Sequence, residues 1–424
     1  MDNIEIIGGN PLRGEVEVSG AKNAALPIMA AALLAPGKSV INRVPRLRDI
    51  ETMLQIFRHL GVRCGWTGPH TLEIDAADLS DCAAPYELVR KMRASVLVLG
   101  PLLGRLGKAR VSIPGGCVIG PRPIDLHLKG LEGLSAQVEI EHGYINARAG
   151  NLKGGEIYLG GRFGSSVGAT CNCLLAASVA AGTTTIVGAA CEPEVIDLAG
   201  FLNQMGGRIA GAGSPRITVE GVKELRPAEY NVIPDRIEAG TYLIAAAITG
   251  GEIVLHGGRA DHLDALLERL QAMGAVIGRE GEKISLRREG GLSPVEITTL
   301  PYPGFPTDLQ AQMMALLSTV PGISVIIEKV YPERFMHIAE LNRLGAEISL
   351  EGPAAIVRGG RKLSGAEVMA SDLRASAALI LAGLVAEGRT TVRRVYHLDR
   401  GYENMVEKLT ALGAAIRRLE EQDI

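Results

Sequence analysis

The residues that could carry out chemistry in this chain are concentrated in the stretch 113–126. Three glycines and three prolines surround Cys117, and Arg122, Asp125 and His127 follow it closely. This density of glycine and proline predicts a shaped loop, because glycine adopts conformations that other residues avoid and proline fixes φ. Cationic neighbours favour the thiolate form of cysteine, so the loop is a candidate site for a reactive thiol. Taken alone, the loop is equally compatible with a surface turn whose cysteine is incidental.

Composition and charge narrow the class of protein. The chain has 424 residues, of which 47% are hydrophobic and 21% charged, as in a globular protein of two or more domains. Its net charge of −3 does not indicate nucleic-acid binding. The first five residues include two acids and no basic residue, so we expect no secretory signal. Because no apolar run approaches the roughly 20 residues of a membrane-spanning helix, we expect no membrane partner.

The cysteines predict a reduced environment. The chain has six cysteines and no CxxC pair, and we expect Cys171 and Cys173 to pack in the core. Since no cluster of His, Cys and carboxylate residues has the spacing of metal ligands, we expect neither a metal site nor a cofactor. These features together predict a cytoplasmic, enzyme-like protein.

A repeat organises the positions around this loop. A short signature follows a stretch of helical periodicity six times, at intervals of 68 to 74 residues. The six copies are Leu60-Gly61-Val62, Leu134-Ser135-Ala136, Met205-Gly206-Gly207, Met273-Gly274-Ala275, Leu344-Gly345-Ala346 and Leu412-Gly413-Ala414. An alternating, strand-like stretch follows each copy.

A second set of predicted helices alternates with the first. These helices are apolar nearly all round, so we expect them to be buried, and a glycine after each one predicts its end. The predicted helices and glycines are 24–34 before Gly37, 95–106 before Gly107, 173–181 before Gly182, 242–249 before Gly250, 313–320 before Gly322 and 375–386 before Gly388.

Six units of this size predict two domains of three units each. We place one domain at 22–232 and the other at 1–21 together with 233–424, with a boundary in the stretch 230–234. A predicted strand near 15–18 leads us to expect that the N-terminal segment completes the sixth unit of the second domain. The fold class is therefore mixed α/β (α+β), with β-α-β-α-β-β units packed around buried helices.

Charged and polar residues recur where the buried helices begin. The six starts carry Lys22-Asn23, Arg93, Ser166-Val167-Gly168, Asp235-Arg236-Ile237-Glu238, Thr307-Asp308 and Ser371-Asp372-Leu373-Arg374. Acids and hydroxyls at these positions are explained by helix capping. Cations such as Lys22, Arg93 and Arg374 meet the positive end of the helix dipole unfavourably, so they suggest a bound anion.

The amphipathic helices begin with acids, and arginines lie beside most of them. The acids are Asp49, Asp125, Glu192, Glu194, Asp261, Glu333 and Asp399, and the arginines are Arg48, Arg122, Arg259, Arg334 and Arg400. For Asp49, Asp261 and Glu333 we favour a capping role. The arginines add to the anion-attracting character of the helix starts.

Five motifs carry a resemblance to a known family. They are Lys22-Asn23, Pro114-Gly115-Gly116-Cys117, Arg122-Pro123-Ile124-Asp125-Leu126-His127, Phe305-Pro306-Thr307-Asp308 and Asp399-Arg400-Gly401-Tyr402. With them the chain resembles, essentially from end to end, the UDP-N-acetylglucosamine enolpyruvyl transferases. The resemblance implies an inside-out α/β barrel in each of two domains, with the active site in the cleft between them.

The resemblance also implies a reaction and roles for residues. The reaction transfers the enolpyruvyl group of phosphoenolpyruvate to the 3′-hydroxyl of UDP-N-acetylglucosamine, the first committed step of peptidoglycan precursor synthesis. Cys117 would be the proton donor and Asp308 the base, with Lys22 and Arg400 also catalytic. Substrate contacts would come from Asn23, Arg93, Arg122, Pro123, Ile124, Asp125, Leu126, Ser165, Ser166, Val167, Val330, Arg334, Asp372 and Arg374. His127 would support the loop rather than catalyse.

One position departs from the family pattern. Some members carry a lysine two residues before the serine of the Ser-Val-Gly turn, where this chain has Gly164. Either Arg162 or backbone amides would then contact the diphosphate. Because Cys117 is present, the resemblance implies sensitivity to epoxide phosphonates such as fosfomycin.

Two alternative functions are considered with this one. 5-Enolpyruvylshikimate-3-phosphate synthase shares the repeat and the phosphoenolpyruvate chemistry, but the cysteine-bearing loop argues against it. A paralogue that binds the nucleotide sugar without turning it over is disfavoured by the presence together of Cys117, Lys22, Asp308 and Arg400. The expected partners are thus the two small-molecule substrates, with no nucleic acid and no membrane.

Overall fold

Helices and short strands are interspersed along the described chain. The computed structural model of the protein describes residues 2–114 and 124–420. In chain order the α-helices are α1 (Lys22–Ala32), α2 (Arg48–His59), α3 (Tyr86–Val89), α4 (Leu99–Leu106), α5 (Asp125–Glu132), α6 (Val167–Ala177), α7 (Pro193–Gln204), α8 (Arg236–Thr249), α9 (Asp264–Met273), α10 (Gln310–Thr319), α11 (His337–Arg343), α12 (Leu373–Gly383) and α13 (Met405–Ala411). Short 3₁₀ helices span Arg93–Val98, Ala260–His262, Thr307–Leu309 and Val395–Arg400.

The strands are short, mostly three to six residues. They are β1 (Asn3–Ile7), β2 (Arg13–Glu17), β3 (Lys38–Asn42), β4 (Arg63–Trp66), β5 (Leu72–Asp75), β6 (Ala83–Ala84), β7 (Lys108–Ser112), β8 (Gln137–Glu141), β9 (Tyr144–Arg148), β10 (Glu156–Tyr158), β11 (Thr183–Val187), β12 (Arg208–Ala210), β13 (Arg216–Glu220), β14 (Glu229–Asn231), β15 (Glu252–His256), β16 (Ala275–Glu280), β17 (Lys283–Arg288), β18 (Glu296–Thr299), β19 (Gly322–Glu328), β20 (Ile348–Glu351), β21 (Ala354–Gly359), β22 (Glu367–Met369), β23 (Arg389–Arg393) and β24 (Ala415–Leu419).

The two helix sets differ in burial as their sequences predict. In α1 every residue except Asn23 is buried, which suits a helix that is apolar nearly all round. In α2 the buried face is formed by Ile50, Met53, Leu54 and Phe57, at the spacing of an amphipathic helix. Within the described part of the chain, no helix has the length and apolarity to cross a membrane.

The strands form six four-stranded sheets with one pairing pattern. In each sheet the first strand runs parallel to the second, and the second, third and fourth pair antiparallel. The strand orders are β14-β3-β5-β4, β6-β7-β9-β8, β10-β11-β13-β12, β2-β15-β17-β16, β18-β19-β21-β20 and β22-β23-β1-β24. This common pattern confirms the sixfold repeat that the sequence predicts.

The N-terminal segment contributes to two sheets rather than one. Strand β1 pairs with β23 and β24 and so completes the sixth sheet. The predicted strand near 15–18 is β2, and it pairs in parallel with β15 of the fourth sheet instead. That part of the prediction was wrong, because a strand before the first repeat can supply the parallel edge that the fourth repeat lacks.

The chain divides into two compact units, each with its own apolar core. What we call the first unit comprises residues 20–114 and 124–233, and the second unit comprises residues 2–19 and 234–420. The first unit contains α1 to α7, and the second contains α8 to α13. The sequence analysis places the two crossings of the chain after residues 21 and 232.

The six signature turns share one backbone conformation. The middle residue of each signature has a positive φ, between 66° and 108°, just past an amphipathic helix. Glycine adopts this conformation without steric cost, which explains five of the six. In the second repeat the position is Ser135, with φ 66°.

The glycines after the buried helices fulfil the predicted role at only two positions. Gly107 and Gly250 are the left-handed C-caps of α4 and α8. For the other four helices the prediction was wrong, because each ends before its glycine is reached. Their C-cap residues are Leu33, Ser178, Val320 and Leu384.

Candidate active site

In the second unit, a partly exposed carboxylate is held by two buried arginines. Asp308 lies in the 3₁₀ turn before α10, Arg334 in the turn before α11 and Arg374 in the first turn of α12. Asp308 Oδ1 accepts from Arg334 Nη1 at 2.7 Å, and Oδ2 accepts from Arg374 Nη2 at 2.9 Å. Two repeats, the fifth with Asp308 and Arg334 and the sixth with Arg374, therefore place three predicted site residues in direct contact.

The two arginines determine the charge state of Asp308. Burial alone would raise its pKa, but the attraction of Arg374 and Arg334 and their hydrogen bonds hold the pKa well below its ordinary value. The Asp308 side chain is 27% exposed, whereas those of Arg334 and Arg374 are 7% and 4% exposed. Asp308 is therefore an ionised carboxylate that a ligand can reach, and two buried guanidinium groups donate hydrogen bonds to it.

Glu328, at the end of β19, is an organising residue that the sequence analysis missed. Its fully buried carboxylate accepts hydrogen bonds from the hydroxyls of Thr299 and Thr307, at 2.6 and 2.9 Å. It also accepts from the backbone nitrogens of Val330 and Tyr331, at 2.8 and 2.9 Å. Glu328 thus fixes both the turn that carries Asp308 and the predicted substrate contact Val330. The sequence carries one signal for this role, because Glu328 is a charged residue at the end of an otherwise mainly apolar strand.

A network of hydroxyl and amide groups lies behind the carboxylate. Gln312 Nε2 donates to the backbone oxygen of Asp308 at 2.9 Å and lies 3.1 Å from the hydroxyl of Tyr402. That hydroxyl is 2.8 Å from Thr241 Oγ1, and the guanidinium of Arg374 lies 5.4 Å from the centre of the Tyr402 ring. The network links α8 and α10 to the turn before α13, bonds to the backbone of Asp308 and lies beside its partner Arg374.

Two of the predicted site residues act as helix caps in the structure. Asp372 Oδ1 accepts from the backbone nitrogens of Arg374 and Ala375, at 2.9 and 3.2 Å, as the N-cap of α12. Ser166 caps α6 in the same way, through the nitrogen of Ala169 at 3.3 Å. Capping accounts for these side chains structurally and leaves their predicted substrate contacts as predictions.

In the first unit, Lys22 pairs with an acid of the amphipathic set. Its Nζ lies 3.1 Å from Asp49 Oδ2, and both side chains are at least nine-tenths buried. The ion pair joins the first turns of α1 and α2. The next residue, Asn23, is exposed, and Arg93 is half-buried at the start of its 3₁₀ helix.

The other predicted contacts of the first unit lie at two helix starts. Asp125 is exposed at the first residue of α5, beside half-buried Ile124 and Leu126. Ser165 and Val167 are half-buried at the start of α6. Cys117, Arg122 and Pro123 lie outside the described residues.

The glycine at position 164, where some family members have lysine, also affects the backbone conformation of the turn. Gly164 has φ 96°, a backbone conformation that lysine rarely adopts. Arg162, the alternative contact, is exposed, with its guanidinium 5.4 Å from the ring of Phe163. The turn of this chain therefore differs from the lysine-bearing pattern in backbone preference as well as in charge.

The last catalytic candidate of the second unit is Arg400. It is half-buried and ends the 3₁₀ helix Val395–Arg400. Its neighbour Asp399 makes a two-point ion pair with Arg418, each contact at 2.8 Å. Asp399 therefore has a structural role, as an anchor of strand β24.

The buried cysteines have the opposite character to a reactive thiol. Burial raises the pKa of Cys64 to about 11 and that of Cys173 to about 12, and it raises the pKa of Cys171 further. Cys171 and Cys173 are each 1% exposed, which confirms their predicted place in the core. In the described part of the chain, no group of three or more His, Cys, Asp and Glu residues could hold a metal ion.

Comparison with known proteins gives a consistent result. The sequence profile of EPSP synthase (3-phosphoshikimate 1-carboxyvinyltransferase) matches residues 6–409. The UDP-N-acetylglucosamine 1-carboxyvinyltransferase of Desulfosudis oleivorans is 54% identical over 419 residues, 99% of this chain and 100% of that protein. A protein of Carboxydothermus hydrogenoformans, UDP-N-acetylglucosamine 1-carboxyvinyltransferase 2, is 53% identical over 427 residues, with 99% and 100% covered.

Comparison with solved structures also identifies enolpyruvyl transferases. The enolpyruvyl transferase NikO from Streptomyces tendae superposes with a TM-score of 0.90 at 28% identity, over 98% of both chains. EPSP synthase from Acinetobacter baumannii gives 0.77 at 21% identity, over 99% of this chain and 100% of that one, which shows the shared fold.

Proposed function

The chain belongs to the EPSP synthase family of carboxyvinyltransferases, and on that premise we propose that it transfers the enolpyruvyl group of phosphoenolpyruvate to the 3′-hydroxyl of UDP-N-acetylglucosamine. One observation carries the choice of acceptor: relatives named for that reaction are 52% to 54% identical over 99% of the chain. The reaction would be the first committed step of peptidoglycan precursor synthesis, in the cytoplasm. Both substrates are small molecules, and no nucleic acid or membrane takes part.

The reaction proceeds by addition and elimination. In the addition, C3 of phosphoenolpyruvate gains a proton, and the 3′-oxygen of the sugar loses its proton and bonds to C2. In the elimination, C3 loses a proton, the bond from C2 to the phosphate oxygen breaks, and inorganic phosphate leaves. One acid and one base suffice if they exchange roles between the two steps.

Asp308 is the proposed base. Its partly exposed carboxylate is ionised and firmly oriented, as proton abstraction from a hydroxyl requires. Its low pKa makes it a weak base while both arginines hold it. When the carboxylate of phosphoenolpyruvate competes for Arg334 and Arg374, that hold weakens and the pKa of Asp308 rises. Substrate binding would thereby activate the base.

The remaining roles follow the resemblance. Cys117 is the proposed acid, and Lys22, Arg122 and Arg400 bind the phosphate of phosphoenolpyruvate, since fixed cations neutralise the charge that the leaving group carries. The nucleotide sugar would contact Asn23, Arg93, Arg122, Pro123, Ile124, Asp125, Leu126, Ser165, Ser166, Val167, Val330 and Asp372.

A phosphate-release assay tests the proposal. The purified chain is given phosphoenolpyruvate with UDP-N-acetylglucosamine, and in a parallel reaction with shikimate 3-phosphate. We expect phosphate in the first reaction only, with an unchanged rate when a chelator is added. Release only with shikimate 3-phosphate, or with neither acceptor, would refute the proposed acceptor.

A substitution at Cys117 tests the proposed role of its thiol as the acid. Cys117→Ala should lower kcat near neutral pH by about 10²-fold or more, the scale of a lost acid. Cys82 is a half-buried cysteine to which no role is assigned, so Cys82→Ala should leave kcat unchanged. Fosfomycin should inactivate the wild-type enzyme and spare any residual activity of Cys117→Ala. If Cys117→Ala kept a near-normal kcat, that result would contradict the proposal that Cys117 is the acid.

A further inference from the structure

Asn172 is a fully buried polar side chain in the interior of the first unit. It is the sixth residue of α6, in a run of Ala, Leu and Cys residues, and it has 0% exposure. Its Oδ1 accepts from the backbone nitrogen of Gly100 at 3.0 Å, and its Nδ2 donates to the backbone oxygen of Val96 at 2.9 Å. A second contact of Nδ2, also 2.9 Å, reaches Nδ1 of His127.

The amide replaces a hydrogen bond of a helix. Val96 and Gly100 are four residues apart, so their C=O and N–H groups would pair directly in a continuous α-helix. Here the 3₁₀ helix Arg93–Val98 meets α4 at that place, and Pro101 has no N–H group to continue the ladder. The Asn172 amide inserts between the two groups and satisfies both, a recognised way to break a helix.

These two backbone partners determine the state of His127. Gly100 can only donate and Val96 can only accept, so Oδ1 and Nδ2 of Asn172 cannot be exchanged. Nδ2 must then be the donor to His127 Nδ1, which leaves Nδ1 without a proton. The imidazole, 5% exposed, is therefore held neutral, with its proton on Nε2.

The other edge of the imidazole packs against the start of α6. A Cβ built on Gly168 would lie 3.1 Å from His127 Nε2 and 3.0 Å from Cε1, closer than ordinary contacts. Glycine at 168 lets the ring lie against the backbone of the turn that follows Ser165 and Ser166. His127 itself follows Leu126 directly, so the ring joins the start of α5 to the start of α6.

Asn172 and His127 therefore connect three backbone segments. They are the 3₁₀ helix that begins at Arg93, the segment 124–127, and the turn 165–168. These are the three described segments of the first unit to which the proposed function assigns nucleotide-sugar contacts, apart from Asn23. We propose that Asn172 and His127 are positioning residues for UDP-N-acetylglucosamine: Asn172 fixes the imidazole of His127, and the pair sets the spacing of the three segments.

This inference rests on the proposed function, and direct binding measurements test it. Asn172→Asp preserves shape and the acceptor for Gly100, but it cannot donate to Val96 or to a neutral Nδ1. By calorimetry, the Kd for UDP-N-acetylglucosamine should rise about tenfold, because the loss of these two buried hydrogen bonds loosens the spacing of the three segments. The KM for phosphoenolpyruvate, at saturating nucleotide sugar, should stay within about threefold.

A pair of His127 variants separates positioning from folding. His127→Asn places a carbonyl oxygen near the site of Nδ1 and should keep the Kd within about threefold of wild type. His127→Leu has no acceptor and should raise the Kd about tenfold. Ser178→Ala is the matched control and should leave the Kd unchanged, because Ser178 is the fully buried polar C-cap of the same helix, bonded to the backbone oxygen of Leu174.

Histidine ¹⁵N spectroscopy reads the tautomer directly in the full-length chain. His127 should show a bare Nδ1 and a protonated Nε2 in the wild type, and a protonated Nδ1 in Asn172→Asp. If the Kd stays at the wild-type value in Asn172→Asp and His127→Leu while both lose thermal stability, the role is structural and the inference fails. A protonated Nδ1 in the wild type also overturns it. If the wild type binds no nucleotide sugar, the proposed function fails, which is a different result.

Discussion

The polar centres of the two units occupy similar places and have different chemistry. Asn172 is the sixth residue of α6, and Thr241 is the sixth residue of α8. In the first unit the amide bonds to backbone groups and to a neutral imidazole. In the second unit the Thr241 hydroxyl meets Tyr402 and Gln312, which continue to Arg374 and Asp308.

This difference shows how one repeated scaffold serves two purposes. A neutral centre that bonds to main-chain groups sets distances between segments of backbone. A centre that ends in a carboxylate and two guanidinium groups holds a charge in place and controls its proton affinity. We therefore expect damage to the first centre to weaken nucleotide-sugar binding and damage to the second to slow the chemical steps.

The largest expected effect comes from removing the charge of the second centre. Asp308→Asn leaves Arg334 and Arg374 buried without their shared carboxylate and removes the proposed base. We expect kcat in the phosphate-release assay to fall by about 10²- to 10⁴-fold. The free energy of unfolding should fall by about 3 kcal/mol, because two buried charges lose their partner.

An exposed ion pair of the same unit provides the control. Asp264 pairs with Arg279 at 2.8 Å, and its side chain is 65% exposed. Asp264→Asn should change the free energy of unfolding by less than about 1 kcal/mol and leave kcat unchanged. A kcat for Asp308→Asn within about tenfold of wild type would remove the functional contrast between the two centres.

A smaller effect should follow from one hydroxyl group of the second centre. Tyr402→Phe keeps the buried ring beside Arg374 but removes the contacts of the hydroxyl to Gln312 and Thr241. We expect kcat to fall by about tenfold while the Kd for the nucleotide sugar stays within about twofold, opposite to the pattern for Asn172→Asp.

Tyr144→Phe is the matched substitution in the first unit. Among the described residues, the Tyr144 hydroxyl makes a single 3.4 Å contact, with the backbone nitrogen of Tyr86, so kcat and Kd should both keep their wild-type values. If Tyr402→Phe instead raised the Kd and left kcat unchanged, the second centre would serve binding rather than the chemical steps. That result would contradict the proposed difference between the two centres.

The charged centre should also make stability depend on pH. The pKa of Asp308 is depressed in the folded state, so its contribution is fully present above the unfolded pKa of about 4 and is lost as pH falls through the folded pKa. In urea titrations from about pH 5 to about pH 2, the difference in unfolding free energy between wild type and Asp308→Asn should shrink. A difference that stays constant over that window would contradict the ionised state of Asp308.

The sequence predicted the repeat and the family, but not the buried polar side chains that hold separate segments together. Helical periodicity and the recurrent signatures depend on local spacing, so they could be found from the sequence alone. The contacts of Glu328 and Asn172 could not, because their partners lie in other elements and only the folded chain brings them together. Both residues did carry a signal, since each is polar within an otherwise apolar run.

The helix ends show the same limit on a smaller scale. The prediction that glycine ends each buried helix holds for Gly107 and Gly250 and fails for the other four, where the chain leaves the helix earlier. Asn172 could likewise not be recognised as the group that breaks the helix at Gly100. Tertiary contacts set these boundaries, whereas local propensity is only a weak guide.

The smallest expected effect tests whether the repeats are otherwise equivalent. Ser135 takes the left-handed conformation, φ 66°, that glycine takes at the same position of the other five signatures. Left-handed backbone costs a residue with a Cβ about 1 to 2 kcal/mol, partly offset by the lower entropy of its unfolded state. Ser135→Gly should therefore raise the free energy of unfolding by about 0.5 to 1 kcal/mol, with kcat and Kd unchanged.

The reverse change in the next repeat completes the test. A Cβ on Gly206, with φ 98°, would meet no atom within 4 Å, so Gly206→Ser should cost only the backbone strain, about 1 kcal/mol. If urea unfolding shows that Ser135→Gly stabilises the chain and Gly206→Ser destabilises it, the six turns are interchangeable. The units then differ in their polar centres rather than in their turns. If Ser135→Gly destabilised the chain, the serine would be making a contribution of its own, and the second repeat would differ from the rest in its turn as well.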